Sequence, residues 1–297
     1  MSPPASVAGS EPLLRQLELT ITRKLDGLVH GDHQGLVPGA GSDSGDGRRY
    51  EPGDDVRRID WNLTARSGDV QVRTTIADRE LETWFVVDGS ASLDYGTAQH
   101  EKRDLALAVV AAFGFITARA GNRVAAVVFD ADHTRVIPPT AGRDGVLSLL
   151  AGLNRRPRST GGSPALATAL RRVRHLAGRR GLVVVVSDLL DPGDWPSELR
   201  SLAARHDVVV AHLTDPREDD IPPIGLLTLV DPETGRRVEV QTSSRRFRDR
   251  YAQGARGRRE AAIAGVRSAR ADLLQVSTDR DWLADVVKHV ARRRRRR

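Results

Sequence analysis

The segment Glu82-Thr-Trp-Phe-Val-Val-Asp-Gly-Ser-Ala-Ser92 contains a short apolar run that ends abruptly at Asp88. A run of this length and composition predicts a buried strand. Asp88, Ser90 and Ser92 then stand at alternate positions, so one carboxylate and two hydroxyls can turn toward one point. Hard oxygens of this kind suit Mg²⁺. The segment therefore predicts a strand that carries a metal site at its carboxyl end.

The chain after this strand alternates between helical and strand patterns. Strands are predicted at 123–129, 182–186, 207–213 and 273–277, with a short edge strand at 134–137. Helices are predicted at 101–120, 142–153, 164–176, 195–204 and 281–291. Continuous apolar strands separated by helices indicate a mostly parallel sheet with helices on both faces. The expected fold class is therefore α/β and Rossmann-like.

Two segments stand apart from this alternation. Residues 1–77 form an N-terminal extension with a helical pattern at 11–29, a glycine-rich loop at 31–47 and a short strand at 70–75. Residues 78–297 form the α/β domain, which is interrupted by an insertion at about 215–270. The insertion predicts a hairpin, 226–230 paired with 237–241, followed by a basic helix at 244–270.

Composition narrows the class of protein. A hydrophobic content of 39% in 297 residues can fill a core, and the absence of cysteine excludes disulfides and thiolate metal sites. No secretory signal is evident, and the longest apolar stretch, 105–118, is shorter than the ~20 residues that span a bilayer. We therefore expect a cytoplasmic protein without a transmembrane segment.

The net charge of +7 is concentrated at one end of the chain. Six of the 46 basic residues are the arginines at positions 292–297, and the rest nearly balance the 39 acidic residues. This run has no interleaved aromatic residues, which favours a solvated, disordered end over a nucleic-acid site. No nucleic-acid partner is expected, and a tether to an anionic surface through these arginines is kept as an alternative.

A second predicted strand ends in Ser187-Asp188. In open α/β sheets, ligands bind outside the carboxyl ends of strands where the strand order reverses, so Asp88 and Asp188 are expected to meet there. Between them in sequence, the turn Ser159-Thr-Gly-Gly-Ser-Pro164 opens a predicted helix and can supply a third hydroxyl.

These pieces, in this order, resemble the metal-ion-dependent adhesion site (MIDAS) of von Willebrand factor type A domains. The resemblance implies a von Willebrand type A-like fold and a Mg²⁺ ion, with Mn²⁺ or Ca²⁺ as alternatives, whose sixth position is left for a partner's carboxylate. It implies the following metal ligands: Asp88, Ser90, Ser92, Asp188 and, at the family's threonine position, Ser163, with Thr160 as the alternative.

A longer pattern lies upstream, Arg49-Tyr-Glu-Pro-Gly-Asp-Asp-Val-Arg-Arg-Ile-Asp-Trp-Asn-Leu-Thr-Ala-Arg66. With Asp78-Arg-Glu-Leu81, Gly121-Asn-Arg123 and Asp231-Pro-Glu-Thr-Gly235, it resembles domain-of-unknown-function family 58 over most of the chain. That resemblance implies an association with a MoxR-type AAA+ ATPase or its client, in the role of an adaptor or co-chaperone.

The upstream pattern mixes acids, arginines and two aromatic residues. One interpretation is a face that docks a partner beside the metal. The other is a structural clasp, in which buried ion pairs and an aromatic plug fasten the extension to the sheet. The candidate residues for either role are Tyr50, Asp54, Asp55, Arg57, Asp60, Trp61 and Arg66.

Sequence motifs of common enzymes are missing. The chain has no Gly-x-Ser-x-Gly elbow, no Gly-x-x-x-x-Gly-Lys-Ser/Thr loop and no His-Glu-x-x-His pair. Ser90 also stands where a phosphatase of the haloacid dehalogenase kind needs a second aspartate. We therefore expect a non-enzymatic, metal-dependent protein-interaction module, with a metal-dependent phosphoester hydrolase as the alternative.

Overall fold

A six-stranded sheet forms the centre of the structure, a computed structural model that describes residues 19–21, 48–51, 56, 59–72, 81–98, 100–119, 121–131, 133–157, 159, 161–162 and 165–295. The strands are β1 (Arg48–Arg49), β2 (Gln71–Val72), β3 (Glu82–Asp88), β4 (Arg123–Phe129), β5 (Thr134–Ala141), β6 (Leu182–Ser187), β7 (Asp207–Thr214), β8 (Leu226–Val230), β9 (Arg237–Gln241) and β10 (Asp272–Ser277). The central sheet has the order β10-β7-β6-β3-β4-β5. Neighbouring strands are parallel except β5, which runs antiparallel to β4.

The helices lie between these strands in the chain. They are α1 (Trp61–Ser67), α2 (Lys102–Ala118), α3 (Gly142–Asn154), α4 (Leu166–Leu176), α5 (Trp195–Ala203), α6 (Pro216–Asp219), α7 (Arg245–Ser268) and α8 (Trp282–Arg295), with a 3-10 turn at Ala91–Asp94. The fold class predicted from the sequence is confirmed: the sheet is mostly parallel, and a hairpin, β8-β9, and a helix, α7, are inserted before its last strand.

Strand β3 shows why helices cover both faces. Its side chains alternate, so Phe85 and Val87 pack into one core and Trp84 and Val86 into the other. The first core is closed by α2, α3 and α8, and the second by α4, α5 and α7. A strand buried on both faces needs apolar residues at successive positions, which is the pattern in the sequence.

The order in which the chain adds strands to the sheet reverses once, and this reversal positions the site. The chain leaves β3 for β4 and β5 on one side, then returns to β6 on the other side of β3. The register pairs Val87 with Val186, so Asp88 and Ser187 lie at neighbouring strand ends. This is the switch point at which open α/β sheets bind ligands.

Three sequence predictions need comment. Strand β5 continues to Ala141 rather than stopping at 137, because pairing with β4 resumes after an irregularity between Val124 and Ala126. Of the helix predicted at 11–29, only Leu19–Ile21 is described, and these residues are helical; the glycine-rich loop at 31–47 lies outside the described residues. Of the strand predicted at 70–75, Gln71 and Val72 pair with β1.

The arginine run is not a solvated, disordered end over its described part. Helix α8 extends to Arg295, and the side chain of Arg293 is only 7% exposed. Its guanidinium contacts Asp207 and lies 3.2 Å from Asp272, at the start of β7 and β10 respectively. These ion pairs fasten the last helix to the sheet. No helix within the described residues is long and apolar enough to cross a membrane.

Candidate metal centre

Asp88 occupies the carboxyl end of β3 and is almost fully buried. Its Oδ1 accepts a hydrogen bond from the Ser90 N–H at 2.9 Å, and its Oδ2 accepts one from the Ser187 hydroxyl at 2.6 Å. Burial, followed by the charge of Asp188, raises the pKa of Asp88 to about 7. The buried carboxyl therefore favours a bound cation or a proton at this position.

Two serine hydroxyls lie directly after Asp88. Ser90 and Ser92 are both buried, and their Oγ atoms are 3.0 Å apart. The Ser92 hydroxyl also hydrogen-bonds to Asp188, which links the end of β3 to the end of β6. The two hydroxyls and both carboxylates thus form one continuous cluster of oxygen atoms.

The turn that joins Asp88 to these serines depends on Gly89. Its N–H donates to the Phe129 carbonyl at 2.6 Å, and its own carbonyl accepts from the Arg156 guanidinium. A Cβ at this position would lie 2.8 Å from the Phe129 oxygen and would overlap the Arg156 guanidinium. Glycine is therefore required sterically where the chain leaves β3.

Asp188 follows β6 and is also buried. Its Oδ1 accepts from the Leu190 N–H at 3.2 Å, and the intervening residue Leu189 has a φ of 58°, in the left-handed region that is uncommon for residues with a Cβ. Its Oδ2 accepts from the ammonium of Lys102 at 2.7 Å. Burial acts to raise the pKa of Asp188, but the Lys102 charge and hydrogen bond outweigh it and lower the pKa.

Lys102 is a buried cation inside the candidate site. Its side chain is fully buried at the start of α2, and its Nζ contacts Asp188 and lies 2.5 Å from Glu218 Oε1. Burial acts to lower the pKa of Lys102, but these two carboxylates raise it overall, so the group stays charged. Three carboxyl groups, Asp88, Asp188 and Glu218, thus share the site with one ammonium.

Glu233 reaches the cluster from the turn of the inserted hairpin. Its Oε1 accepts a hydrogen bond from the Ser92 N–H at 2.9 Å, and Asp188 is close enough to contribute to its raised pKa, of which burial is the first cause. The Glu233 carbonyl also accepts from the Gly162 N–H at 2.6 Å. The hairpin turn therefore touches both the serine turn, residues 89–92, and Gly162.

A groove of about 1050 Å³ opens beside the cluster. Ser92 and Asp188 line one end of it, and apolar side chains of β8 and β9 such as Leu227 and Val240 form a wall. Helix α7 contributes Tyr251 and other residues to the lining. The oxygen cluster is therefore buried beneath a surface that a partner can reach.

The donor set fits a hard divalent cation. Two carboxylates and two hydroxyls converge, the pKa of Asp88 is raised, and Glu233 Oε2 is buried without a hydrogen-bond partner among the described residues. Among those same residues, no group of three or more His, Cys, Asp or Glu side chains is arranged to hold a metal. An ion bound here would therefore depend on Ser90 and Ser92 for part of its coordination.

The structure brings together most of the predicted ligands. Asp88, Ser90, Ser92 and Asp188 lie in one cluster. Ser163 and Thr160, the alternatives for the third hydroxyl, lie outside the described residues. Their described neighbour Gly162 donates its N–H to the Glu233 carbonyl.

The described residues of the upstream pattern are more exposed than a buried clasp would be. Asp60 caps the amino terminus of α1 by accepting from the N–H groups of Asn62 and Leu63 at 3.0 and 3.1 Å. The Trp61 side chain, which the clasp interpretation places in a buried plug, is 69% exposed, because it begins a short helix that leaves it facing solvent. Tyr50 is half-buried and Arg66 is exposed, while Asp54, Asp55 and Arg57 lie outside the described residues. A docking role for the exposed indole stays a prediction.

Lys102, Ser187 and Glu233 are the residues of the site that sequence reasoning missed. Lys102 is one of three lysines in a chain rich in arginine, and Glu233 lies in the Asp231–Gly235 motif, between the two strands of the predicted hairpin. Ser187 directly precedes Asp188 at a strand end. Each residue has a feature that is visible in the sequence, but none of these features shows which other residue its side chain contacts.

Comparisons with known proteins give one family. The model of the family described as "Protein of unknown function DUF58" matches residues 46–261. An uncharacterized protein of Mycobacterium tuberculosis is 46% identical over 95% of this chain and 89% of its own length. An uncharacterized protein of Mycobacterium avium is 39% identical over 54% of this chain and 94% of its own length.

Solved structures give more distant similarities. BatB from Bacteroides thetaiotaomicron aligns at a TM-score of 0.47 with 16% identity, covering 72% of this chain and 99% of that chain. The SpRpn10 VWA domain aligns at a TM-score of 0.40 with 12% identity, covering 70% and 94%. Because these TM-scores are low, the fold class rests on the observed strand order and not on these similarities.

Proposed function

Because this chain belongs to the DUF58 family, whose description gives no function, we propose that it is a metal-dependent protein-interaction module. The observation that carries the proposal is the convergence of Asp88, Ser90, Ser92 and Asp188 at the switch point of the sheet, next to an open groove. Hard oxygens gathered at such a position are suited to an ion that faces a ligand.

The residues of the cluster have two proposed roles, which are to hold the ion and to orient its ligands. The Ser90 and Ser92 hydroxyls and the Asp88 and Asp188 carboxylates would hold Mg²⁺, with Mn²⁺ or Ca²⁺ as alternatives. Ser187 orients Asp88 through its hydrogen bond at 2.6 Å, and Lys102 orients Asp188 through its ammonium at 2.7 Å. A bound ion would supply a positive charge next to the groove, and this charge would attract a carboxylate.

The proposed partner is a MoxR-type AAA+ ATPase or its client, engaged through such a carboxylate. The family resemblance supports this choice, and the chain itself has no Gly-x-x-x-x-Gly-Lys-Ser/Thr loop with which to bind ATP. In this role the protein acts as an adaptor or co-chaperone. We expect the interaction in the cytoplasm, because an AAA+ ATPase needs ATP.

Calorimetric titration with Mg²⁺ and Mn²⁺ tests the metal. Wild type is expected to bind, whereas Asp88→Asn, which keeps the shape and removes the charge, is expected to lose binding. Asp144→Asn is the matched control, because the Asp144 side chain is 98% exposed on α3. Equal heats for wild type and Asp88→Asn would contradict the metal site.

A pull-down with the full chain, with and without EDTA, tests the partner. An AAA+ ATPase that is released by EDTA and is not captured by Asp88→Asn would support the adaptor role. Capture that is insensitive to EDTA would contradict it. Metal-dependent hydrolysis of a generic phosphate ester, lost in Asp88→Asn, would favour the hydrolase alternative instead.

A further inference from the structure

We propose that Glu233 is an internal carboxylate ligand of this site, which takes the position that the partner's carboxylate must occupy. The inference rests on the proposed function, because it concerns the same metal. It assigns the inserted hairpin a specific role: its turn competes with the partner.

The contact between Glu233 and the serine turn spans 141 residues of sequence. Glu233 Oε1 accepts from the N–H of Ser92, one of the residues whose hydroxyl would bind the ion. Ser92 and Asp188 line the groove, and Asp231 and Pro232, which precede Glu233 in the hairpin turn, line it too, so the turn meets the cluster on the groove side. That is the side from which a partner's carboxylate would approach.

The second oxygen of Glu233 is unsatisfied. Oε2 is buried and has no hydrogen-bond partner among the described residues. A buried carboxylate oxygen without a partner is costly, so it indicates a cation or a water that would complete it. Asp188 lies near enough to repel the Glu233 carboxylate, and a divalent ion between the two groups would remove that repulsion.

The hairpin turn is built to present Glu233 in one orientation. Asp231 accepts from the Glu233 N–H at 3.0 Å and from the Thr234 hydroxyl at 2.7 Å, and Gly235 takes a left-handed φ of 68° that closes the turn. The turn is therefore ordered by its own hydrogen bonds, and the direction of the Glu233 side chain does not depend on a long flexible loop.

A second contact holds the turn against the site. The Glu233 carbonyl accepts from Gly162, and a Cβ on the preceding Gly161 would lie 2.5 Å from that carbonyl oxygen. Gly161 and Gly162 have φ values of 105° and 104°, which residues with a Cβ rarely adopt. The two glycines thus allow the backbone at 161 and 162 to approach the hairpin turn closely.

The rest of the hairpin is free to move away. Strands β8 and β9 pair with each other and not with the described strands of the central sheet. Leu226 and Val230 are 68% and 54% exposed, and the groove separates the hairpin from the strand ends. A two-stranded hairpin with few buried contacts can be displaced at modest cost, so a partner's carboxylate can replace Glu233.

Water proton relaxation with Mn²⁺ tests this assignment directly, because relaxation rises when a bound ion gains an exchangeable water. The full-length wild type is compared with Glu233→Ala, Glu233→Gln and the control Glu239→Ala, which removes an exposed acid from β9 of the same hairpin. Calorimetry on the same samples gives the Mn²⁺ affinity, and circular dichroism confirms folding.

Glu233→Ala and Glu233→Gln are expected to raise the relaxation per bound Mn²⁺ and to weaken Mn²⁺ binding on the order of tenfold. Acetate, used as the carboxylate probe, should then lower the relaxation of these variants but leave wild type and Glu239→Ala unchanged. If wild type binds Mn²⁺ and the Glu233 variants match it in relaxation and acetate response, the inference is wrong while the proposed function stands. If wild type and Asp88→Asn bind no Mn²⁺, both are wrong.

Discussion

Replacing Lys102 with methionine tests the charge balance of the site. The Lys102 side chain is fully buried, and its ammonium lies 2.7 Å from Asp188 Oδ2 and 2.5 Å from Glu218 Oε1. Methionine keeps most of the apolar stem but leaves both carboxylates without their cation. Removing one member of a buried ion pair costs about 3–5 kcal/mol, because the remaining charge is uncompensated. We expect Lys102→Met to lose that amount of unfolding free energy near neutral pH.

Equilibrium urea unfolding, followed by far-ultraviolet circular dichroism, measures this loss. Lys288→Met is the matched control, because Lys288 is exposed on α8 and should change the free energy of unfolding by less than about 0.5 kcal/mol. The double variant Lys102→Met/Asp188→Asn should be more stable than Lys102→Met, since it removes the charge left behind. A loss below about 1 kcal/mol in Lys102→Met, or no recovery in the double variant, would refute this account of the buried pair.

Three further variants test other parts of the structure. Gly89→Ala should destabilise the protein by about 1–3 kcal/mol in thermal or urea unfolding, because the new Cβ meets a backbone oxygen 2.8 Å away; wild-type stability would contradict the steric reasoning. Burial lowers the pKa of His212 from 6.5 to about 4, so the unfolded state takes up a proton first as pH falls. Wild type should therefore lose about 3 kcal/mol more than His212→Gln between pH 6.5 and pH 4, and parallel pH profiles would count against this. Asp60→Ala should cost about 1 kcal/mol by removing the cap of α1 while leaving Mg²⁺ affinity unchanged; a changed affinity by calorimetry would instead connect the extension to the site.

The sequence predicts local structure well where burial enforces a simple pattern. Strand β4 has the predicted limits because an apolar run, Val124 to Phe129, follows Arg123 and ends at the polar residue Asp130. The limit of β5 was missed because Pro138 and Pro139 suggest an end, whereas the strand passes through them and pairs again at Thr140. Tertiary pairing overrides such local signals.

In the site, the sequence predicts the residues at strand ends but not the residues that tertiary packing brings in. Asp88 and Asp188 could be brought together from sequence because each ends an apolar strand and parallel strands place those ends at one edge. Lys102 and Glu233 could not, because their contacts with Asp188 and Ser92 span 86 and 141 residues and depend on how α2 and the hairpin pack. The clasp interpretation places Trp61 in a buried aromatic plug, but a helix that starts on the surface leaves the indole in solvent.

The two prolines of β5 have a consequence for how this protein can associate. An exposed outer strand normally offers unpaired N–H groups to a strand from another chain, which leads to shared sheets and aggregation. Pro138 and Pro139 have no N–H to offer and interrupt that outer row of donors. Association by adding a partner's strand at this edge of the sheet is therefore disfavoured.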